Sequence, residues 1–271
     1  MLRLSSEESF HFELLRTLAH SHYGGADVGE IKRTEWVLSQ AEKSTNLVSI
    51  REVMYRACTY FRSDDLFLHD NWNDRRIMYC WEKQMYCFNR AMKLLSIPGE
   101  RLRAPAEGFE VPILFFPTSQ ILDEKWPTIT MGNGFDQSME EIRYQNFGVT
   151  HKLEKVVTPV LDHLATQSNV DMSKIGLVGN SMHGLTAARA ASEHRIAAVM
   201  SIDVTHRIWS FIVKTPTEFM YLVKNYILEG IADQIQCPVF VGNAARDMFM
   251  KVYPEAMRDA LGDNATHVLF Y

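Results

Sequence analysis

The chain has 271 residues, of which 46% are hydrophobic, and a formal net charge of -5 at neutral pH. This size fits one large α/β domain, or a domain of ordinary size with a substantial extra element. The mildly acidic balance lacks the basic blocks that bind phosphate backbones, so we expect no nucleic-acid partner. Four scattered cysteines without a Cys-x-x-Cys pair predict buried thiols in a reducing compartment.

The terminal and apolar segments predict a cytoplasmic protein with no membrane partner. The N-terminal sequence MLRLSSEESFHFELL places Ser, Glu and His where a signal peptide needs an apolar run. The most apolar late stretch, residues 208–228, is too polar to span a bilayer. It is interrupted by Lys214, Pro216, Glu218 and Lys224.

Hydrophobic spacing up to about residue 97 predicts helices. Residues 6–23 begin with a serine-rich cap and an acidic first turn, and residues 50–68 and 75–95 carry apolar side chains at three- and four-residue intervals. Pro98 and Gly99 end the last of these helices. The aromatic residues of this helical unit fit either a core or a pocket lining; among them are Tyr60, Phe61, Trp81 and Tyr86.

The rest of the chain alternates apolar strand candidates with helices. A helix is predicted over residues 152–167. Continuous apolar strands between helices favour a parallel sheet that is covered on both faces. The predicted strands are 108–117, 125–134, 174–180, 196–204, 237–244 and 266–271.

The segment KIGLVGNSMHGLTAARAA, residues 174–191, places Ser181 between a predicted strand and a predicted helix. A nucleophilic serine often lies on such a sharp turn, where small neighbours relieve crowding. The usual Gly-x-Ser-x-Gly pattern would need glycine where this chain has His183, so we expect a strained or reshaped turn. The same spacing also fits a serine that only caps the following helix.

Two further segments fit acyl transfer. The glycine turn after the strand at 125–134 can present backbone N–H groups to an oxyanion, so Gly134, Phe135 and Met182 are candidate donors. Asp247 follows a later strand at a suitable distance for the acid that orients a catalytic histidine. Each feature also has an ordinary interpretation, as a strand-to-helix turn or as a loop aspartate.

The general base is the missing part of this pattern, because it should lie on a loop after the final strand. His267 lies at the start of that strand, the turn points His183 away from the serine, and His206 follows an earlier strand.

Metal and nucleotide sites are not indicated either, since the chain lacks paired ligand spacings and the lysine of a phosphate-binding loop. We therefore expect no cofactor and no metal.

Several motifs together resemble a known family. They are YGGADVGE (23–30), PTITMGNGFDQSMEE (127–141), KIGLVGNSMHG (174–184), LEGIADQIQCPVFVGNAARDMF (228–249) and ALGDNAT (260–266). The chain resembles fungal α/β hydrolases encoded beside polyketide and polyketide–peptide synthases. That family includes fusarin- and cytochalasin-cluster hydrolases, hydrolases that shorten pigment polyketides and, more distantly, 2,6-dihydroxypseudooxynicotine hydrolase.

The resemblance implies an α/β-hydrolase fold with an N-terminal helical cap over residues 1–105. The hydrolase core would occupy residues 106–271, with a short lid insertion near 205–232. It implies Ser181 as nucleophile, Asp247 as acid and the turn from Gly132 to Phe135 as oxyanion loop. The expected partner is a small polyketide-type substrate of a mycotoxin or pigment pathway, cleaved at an acyl, ester or carbon–carbon bond, and a homodimer is implied.

Two departures from the family pattern concern the core. Between residues 150 and 151 the family places a further strand that would lie inside the sheet, and beyond the last strand it continues to its catalytic histidine. We therefore expect a sheet that lacks one internal strand and the C-terminal histidine loop. Two hypotheses follow: a serine-type hydrolase, or a catalytically impaired relative that acts as a binding module or has no function.

Overall fold

The computed structural model describes most of the chain outside its N-terminal region. The described ranges are 34–65, 73–119, 124–132, 153–180, 182–192, 195–202, 230–245 and 253–270, with the single residues 15, 68, 121 and 228. Two compact units are present. The first holds the described residues up to Glu100 together with Phe115–Pro117, and the second holds the other described residues.

Three helices form the described part of the first unit. They are α1 (Thr34–Lys43), α2 (Leu47–Asp65) and α3 (Arg75–Lys93). Helix α3 begins after Asp74, whose carboxylate accepts a hydrogen bond from the backbone N–H of Arg76 and pairs with its guanidinium. These contacts lower the pKa of Asp74 to about 2. The cap and its charge fix where the helix starts.

The helices α2 and α3 confirm two of the predicted helical segments. Most of residues 6–23 lies outside the described residues. α1 lies in the region predicted to be helical, although no separate segment was assigned there. Tyr60 and Phe61 are buried core residues, and Tyr55 packs edge-to-face on Phe88. Trp81 and Tyr86 are instead about half exposed on α3. The aromatic residues of this unit are therefore divided between core and surface.

Among the described residues, seven strands follow these helices. They are β1 (Glu100–Ala106), β2 (Phe109–Phe115), β3 (Trp126–Gly132), β4 (Val170–Asn180), β5 (Ala198–Ile202), β6 (Val239–Ala244) and β7 (Ala265–Phe270). The intervening helices are α4 (Leu153–Ala165), α5 (Met182–Ala190) and α6 (Tyr253–Leu261). Only β1 was not predicted, because its charged residues and proline hide the alternating pattern of an exposed strand.

Strands β1 and β2 form a two-stranded sheet joined through Gly108, which has φ +81°. Such a positive φ favours glycine in a tight hairpin turn. The other five strands form one sheet in the order β3-β4-β5-β6-β7, and each neighbouring pair is parallel. The parallel sheet is confirmed, and within the described part of the chain β3 is an edge strand with no strand joining it to β2.

The two faces of this sheet differ in burial. On one face, the side chains at Ile175, Leu177, Val199, Val239 and Val241 are all buried, and α4, α5 and α6 pack against the strands. The opposite face exposes Ile129 by 64%, Met200 by 39% and Phe270 by 53%. The expectation of a sheet covered on both faces is therefore wrong for the described residues.

All four cysteines are free and buried: Cys58, Cys80, Cys87 and Cys237. Burial raises the pKa of the Cys87 thiol to about 12, which keeps it protonated and unreactive at neutral pH.

None of the described helices combines the length and the apolar character needed to cross a bilayer.

Candidate active site

The structure describes the strand ends and the helix start around the predicted site, but most of the predicted catalytic residues lie outside the described residues. Ser181, Gly134, Phe135 and Asp247 lie outside the described residues, as does His206. Met182 is described as the first residue of α5. The site is therefore characterised by the strand ends, the start of α5 and the buried side chains that hold them.

The connection between β4 and α5 is one residue long. Strand β4 ends at Asn180 and α5 begins at Met182. β4 lies between β3 and β5, with Gly179 opposite Gly132 on one side and Ser201 on the other. A parallel sheet gathers the carboxyl ends of its strands at one edge, which is where ligand sites of such sheets form.

Gly179 allows α5 to approach the end of β4 closely. A Cβ atom at this position would lie 2.0 Å from the carbonyl oxygen of His183 and 2.6 Å from the Cβ of Ala187. No side chain fits a space of this size, because backbone atoms of the helix cannot move away. The glycine two residues before the predicted nucleophile is thus a requirement of the turn.

A buried hydroxyl on the neighbouring strand fixes the first turn of α5. The Oγ of Ser201, which is fully buried on β5, donates a hydrogen bond of 2.7 Å to the carbonyl oxygen of Gly184. Within the helix, the Oγ1 of Thr186 donates to the carbonyl of His183 over 3.3 Å. The helix start is therefore held from the strand below it as well as by its own backbone.

His183 is fully buried and lies against the end of β3. A Cβ atom on Gly132 would be 3.4 Å from the Cδ2 and 3.6 Å from the Cγ of its imidazole. α5 is helical from Met182 to Ala190, whereas the turn in which strain was expected includes Ser181, which lies outside the described residues. These distances are ordinary van der Waals contacts, so the imidazole packs directly against the end of β3.

His267 belongs to a different cluster. It lies on β7, where its Nε2 is 3.5 Å from the Nδ2 of Asn243. The same Nδ2 donates a 2.8 Å hydrogen bond to Glu255 on α6, and the second carboxylate oxygen of Glu255 is buried without a partner among the described residues. This cluster lies under α6, on the covered face of the sheet.

The strand order separates His267 from the turn after β4. Gly179 is opposite Ser201, Ser201 opposite Val241 and Val241 opposite His267. Three strand spacings amount to roughly 14 Å. A serine and a histidine in hydrogen-bond contact need donor and acceptor atoms about 3 Å apart, so His267 lies far from the end of β4 on this scale.

Sequence reasoning missed the cluster of Asn243, Glu255 and His267 and the packing of His183 on Gly132. The first joins residues from two strands and a helix, and no sequence spacing marks it. The packing of His183 had a signal in the sequence: Gly132 ends the strand β3, and His183 replaces the usual glycine two residues after Ser181.

Among the described residues, no group of three or more His, Cys, Asp or Glu could hold a metal ion.

Solved structures identify the fold. The structure of 2,6-dihydroxy-pseudo-oxynicotine hydrolase matches with a TM-score of 0.77 and 17% identity, covering 93% of this chain and 88% of that one. AbyA5 matches with a TM-score of 0.65 and 15% identity, covering 90% and 86% of the two chains. The chain has the α/β-hydrolase fold.

The chain is also similar in sequence to hydrolases from fungi. Hydrolase acrC of Aspergillus aculeatus is 24% identical, and the match covers 97% of this chain and 89% of the relative. The 20-hydroxy-prefusarin hydrolase FUS2 of Gibberella moniliformis is 25% identical over 75% of this chain and 62% of its own length. The predicted resemblance to fungal hydrolases of secondary-metabolite clusters is confirmed. No family model matches the chain.

The alignment with Hydrolase acrC also shows how this chain differs. It runs over 385 positions, whereas this chain has 271 residues, so long gaps in this chain face residues of the relative. The α/β-hydrolase fold is thus present here in a shorter form.

Proposed function

We propose that this chain is a serine-type α/β hydrolase of fungal secondary metabolism. Its substrate would be a polyketide-derived small molecule cleaved at an acyl, ester or carbon–carbon bond, in the cytoplasmic synthesis of a mycotoxin or pigment. The observation that carries the proposal is the one-residue connection between β4 and α5, with Gly179 packed against the helix. The fungal relatives support the reaction class, since they are named as hydrolases.

In this proposal, the Oγ of Ser181 attacks the carbonyl carbon of the substrate. A base takes the hydroxyl proton, and the oxyanion is held by the N–H groups of Gly134, Phe135 and Met182. Collapse of the intermediate expels the leaving group with a proton, and water then releases the acyl group from the serine. Asp247, three residues beyond the end of β6, orients the base.

We propose His206 as the first residue to test as the proton acceptor. Strand β5 ends at Ile202, which is opposite Asn180 at the end of β4. The chain that leaves β5 therefore starts about one strand spacing from the chain that leaves β4, about 5 Å away. His206 is four residues further along the sequence, so it is the histidine whose replacement by alanine we propose to test first.

The test is labelling of the purified chain with a fluorophosphonate, followed by intact mass. We expect one label on the wild-type chain and none on Ser181→Ala. Ser173→Ala is the matched control, because Ser173 is an exposed serine on the same strand β4. It should label as the wild type does. A label that persists in Ser181→Ala would contradict the assignment of the nucleophile.

A second candidate function is a non-catalytic relative. It is favoured by the described histidines: His183 is buried against Gly132, His267 is three strands away, and His163 on α4 faces Gln167 at 3.4 Å. Loss of a triad member typically lowers turnover by about four to six orders of magnitude. A chain that melts cooperatively but takes no label on any serine would establish this second candidate and reject the first.

A further inference from the structure

Helix α3 carries large apolar side chains on both of its sides. The inner side packs in the core of the first unit, and its buried apolar residues are Cys80, Cys87, Phe88, Ala91 and Met92. On the other side, Met78, Tyr79, Trp81 and Tyr86 are each about half exposed. Packing of the core does not account for these four residues, which form the outer face of α3.

Helical spacing gathers the four side chains on one side of α3. Met78 and Trp81 are three residues apart, and Tyr79 and Tyr86 are seven residues apart, so the members of each pair lie along the same row. At 100° per residue, all four directions fall within an arc of about 160°. Single exposed apolar residues are normal on a protein surface, whereas a contiguous group indicates a contact surface.

The two tyrosines of the outer face are held by polar neighbours. The Oη of Tyr79 donates a hydrogen bond to Glu35 on α1, and the Nζ of Lys83 lies 5.5 Å from the centroid of the Tyr79 ring. The Nη1 of Arg90 donates a 2.8 Å hydrogen bond to the Oη of Tyr86. Side chains that are already fixed lose less conformational entropy when a partner binds.

Helix α3 is basic within an acidic chain. It has five Lys and Arg residues and a single acidic residue, Glu82, whereas the whole chain has a net charge of -5. Arg76 pairs with Asp74 at the start of the helix. Arg75 and Lys93 are exposed and have no ion-pair partner among the described residues. These two cations lie about 27 Å apart along the helix and flank the outer face.

We infer that the outer face of α3 docks an acidic, amphipathic helix of a partner protein. Trp, Tyr, Met and Arg are the residue types that are enriched in protein–protein contacts. Rows of apolar side chains along a helix are the surface against which a second helix packs its own apolar side. The cations at the two ends of α3 match a partner whose carboxylates flank its apolar residues.

Two other occupants fit the outer face less well. In a symmetric contact between two copies of the chain, the same surface meets itself, so the cations of one α3 would face those of the other and repel them. A membrane surface takes up a helix whose broad apolar side is free. The broad apolar side of α3 is already buried in the core of its own unit.

The test measures binding of fluorescent synthetic peptides to the full chain by anisotropy. The probe is a peptide of about twenty residues, with leucine along one side of its helix and glutamate at the other positions. One control peptide replaces leucine by serine, and the other replaces glutamate by lysine. We expect the acidic amphipathic peptide to bind at least about tenfold more tightly than either control, with an affinity that falls as salt is added.

Variants of exposed residues locate the binding surface. Trp81→Gln should weaken binding of the acidic peptide at least about tenfold. The double variant Arg75→Gln, Lys93→Gln should weaken it about three- to tenfold and reduce its salt dependence. The matched controls are Leu47→Gln, an exposed apolar residue at the start of α2, and Lys43→Gln, an exposed cation in the last turn of α1. Both should bind within about twofold of wild type.

Trp81→Tyr keeps an aromatic side chain and should retain most of the binding. Melting curves of all variants should match the wild-type curve, because the substituted side chains are exposed. The inference would be overturned if the acidic peptide did not bind, if the lysine peptide bound equally well, or if folded Trp81→Gln bound like wild type.

Two further results would assign the outer face to another occupant and reject the docked helix. The first is a wild-type dimer in sedimentation that Trp81→Gln dissociates. The second is binding to vesicles of phosphatidylcholine and phosphatidylserine that depends on Trp81 and occurs without binding of the acidic peptide. None of these measurements uses hydrolytic activity, so they remain decisive even if the chain takes no fluorophosphonate label.

Discussion

At the scale of single residues, the turn after β4 depends on how closely α5 approaches the strand. Gly179 leaves room for the carbonyl of His183, whereas a Cβ on Gly132 would make ordinary contact with the imidazole at 3.4 Å. Gly179 is therefore needed for contact distance and not for an unusual backbone conformation. The sequence indicated this glycine through its place before Ser181, whereas the contact between Gly132 and His183 appears only when α5 is placed on the sheet.

Gly179→Ala should therefore be strongly destabilising. Its Cβ would lie 2.0 Å from a backbone oxygen, which cannot rotate away as a side chain could, so we expect a loss of at least about 3 kcal/mol in the free energy of unfolding. Urea denaturation followed by circular dichroism measures it.

Gly176→Ala is the matched control on the same strand. The nearest side-chain atom to a Cβ there is the Cγ1 of Ile129 at 3.8 Å, which is ordinary contact. Its effect should stay within about 0.5 kcal/mol. Equal effects of the two substitutions would show that α5 does not pack on β4 as described.

At the scale of elements, strand order decides which side chains can cooperate. Ser181 follows β4, and β5 separates β4 from β6 and β7. The cluster of Asn243, Glu255 and His267 is held by β6, β7 and α6, under the covered face of the sheet. A histidine in the last strand is thus a neighbour of α6 and not of the turn after β4.

His267→Ala should leave the fluorophosphonate labelling rate within about twofold of wild type, because three strand spacings separate it from β4. Its thermal midpoint should fall modestly, since a polar contact of this kind contributes about 1 kcal/mol. Labelling kinetics and a melting curve on the same preparation test both points. A large loss of labelling in a fully folded variant would contradict the strand register.

At the scale of the whole molecule, the five-stranded sheet has one largely buried face and a second face on which Ile129, Met200 and Phe270 are exposed while Val178 is buried. Phe240 and Phe270 lie 6.3 Å apart between ring centroids on the second face, near Gly242. Ile129 and Met200 extend the same face across β3 and β5. The sheet is stabilised by the helices on its other side, because that is where the apolar side chains lose contact with water.

Two adjacent residues of β5 test this asymmetry. Val199 is 3% exposed on the covered face, and Met200 is 39% exposed on the other. Val199→Gln should cost about 3 kcal/mol of unfolding free energy through a buried amide. Met200→Gln should cost no more than about 0.5 kcal/mol. Equal costs in urea denaturation would show that the second face is covered in solution.

Sequence reasoning located most of the elements because their signals are local. Five parallel strands and the helices α2, α3, α4 and α5 follow from hydrophobic spacing and from the glycines and prolines between segments; the helix predicted over 152–167 is α4. The strand-to-helix change at residues 180–182 was likewise visible from KIGLVGNSMHG. The charged strand β1 was missed, since its burial at Ala104 depends on what packs against it.

The sequence by itself determined most of the strands and helices, the change from strand to helix at residues 180–182 and the resemblance to fungal hydrolases, because these depend on residues close together along the chain. Tertiary structure decided that His183 packs on Gly132, that His267 belongs to the cluster with Asn243, and that one sheet face leaves Ile129, Met200 and Phe270 exposed. These are contacts between residues far apart in sequence, and their energies depend on register and packing that no local pattern encodes.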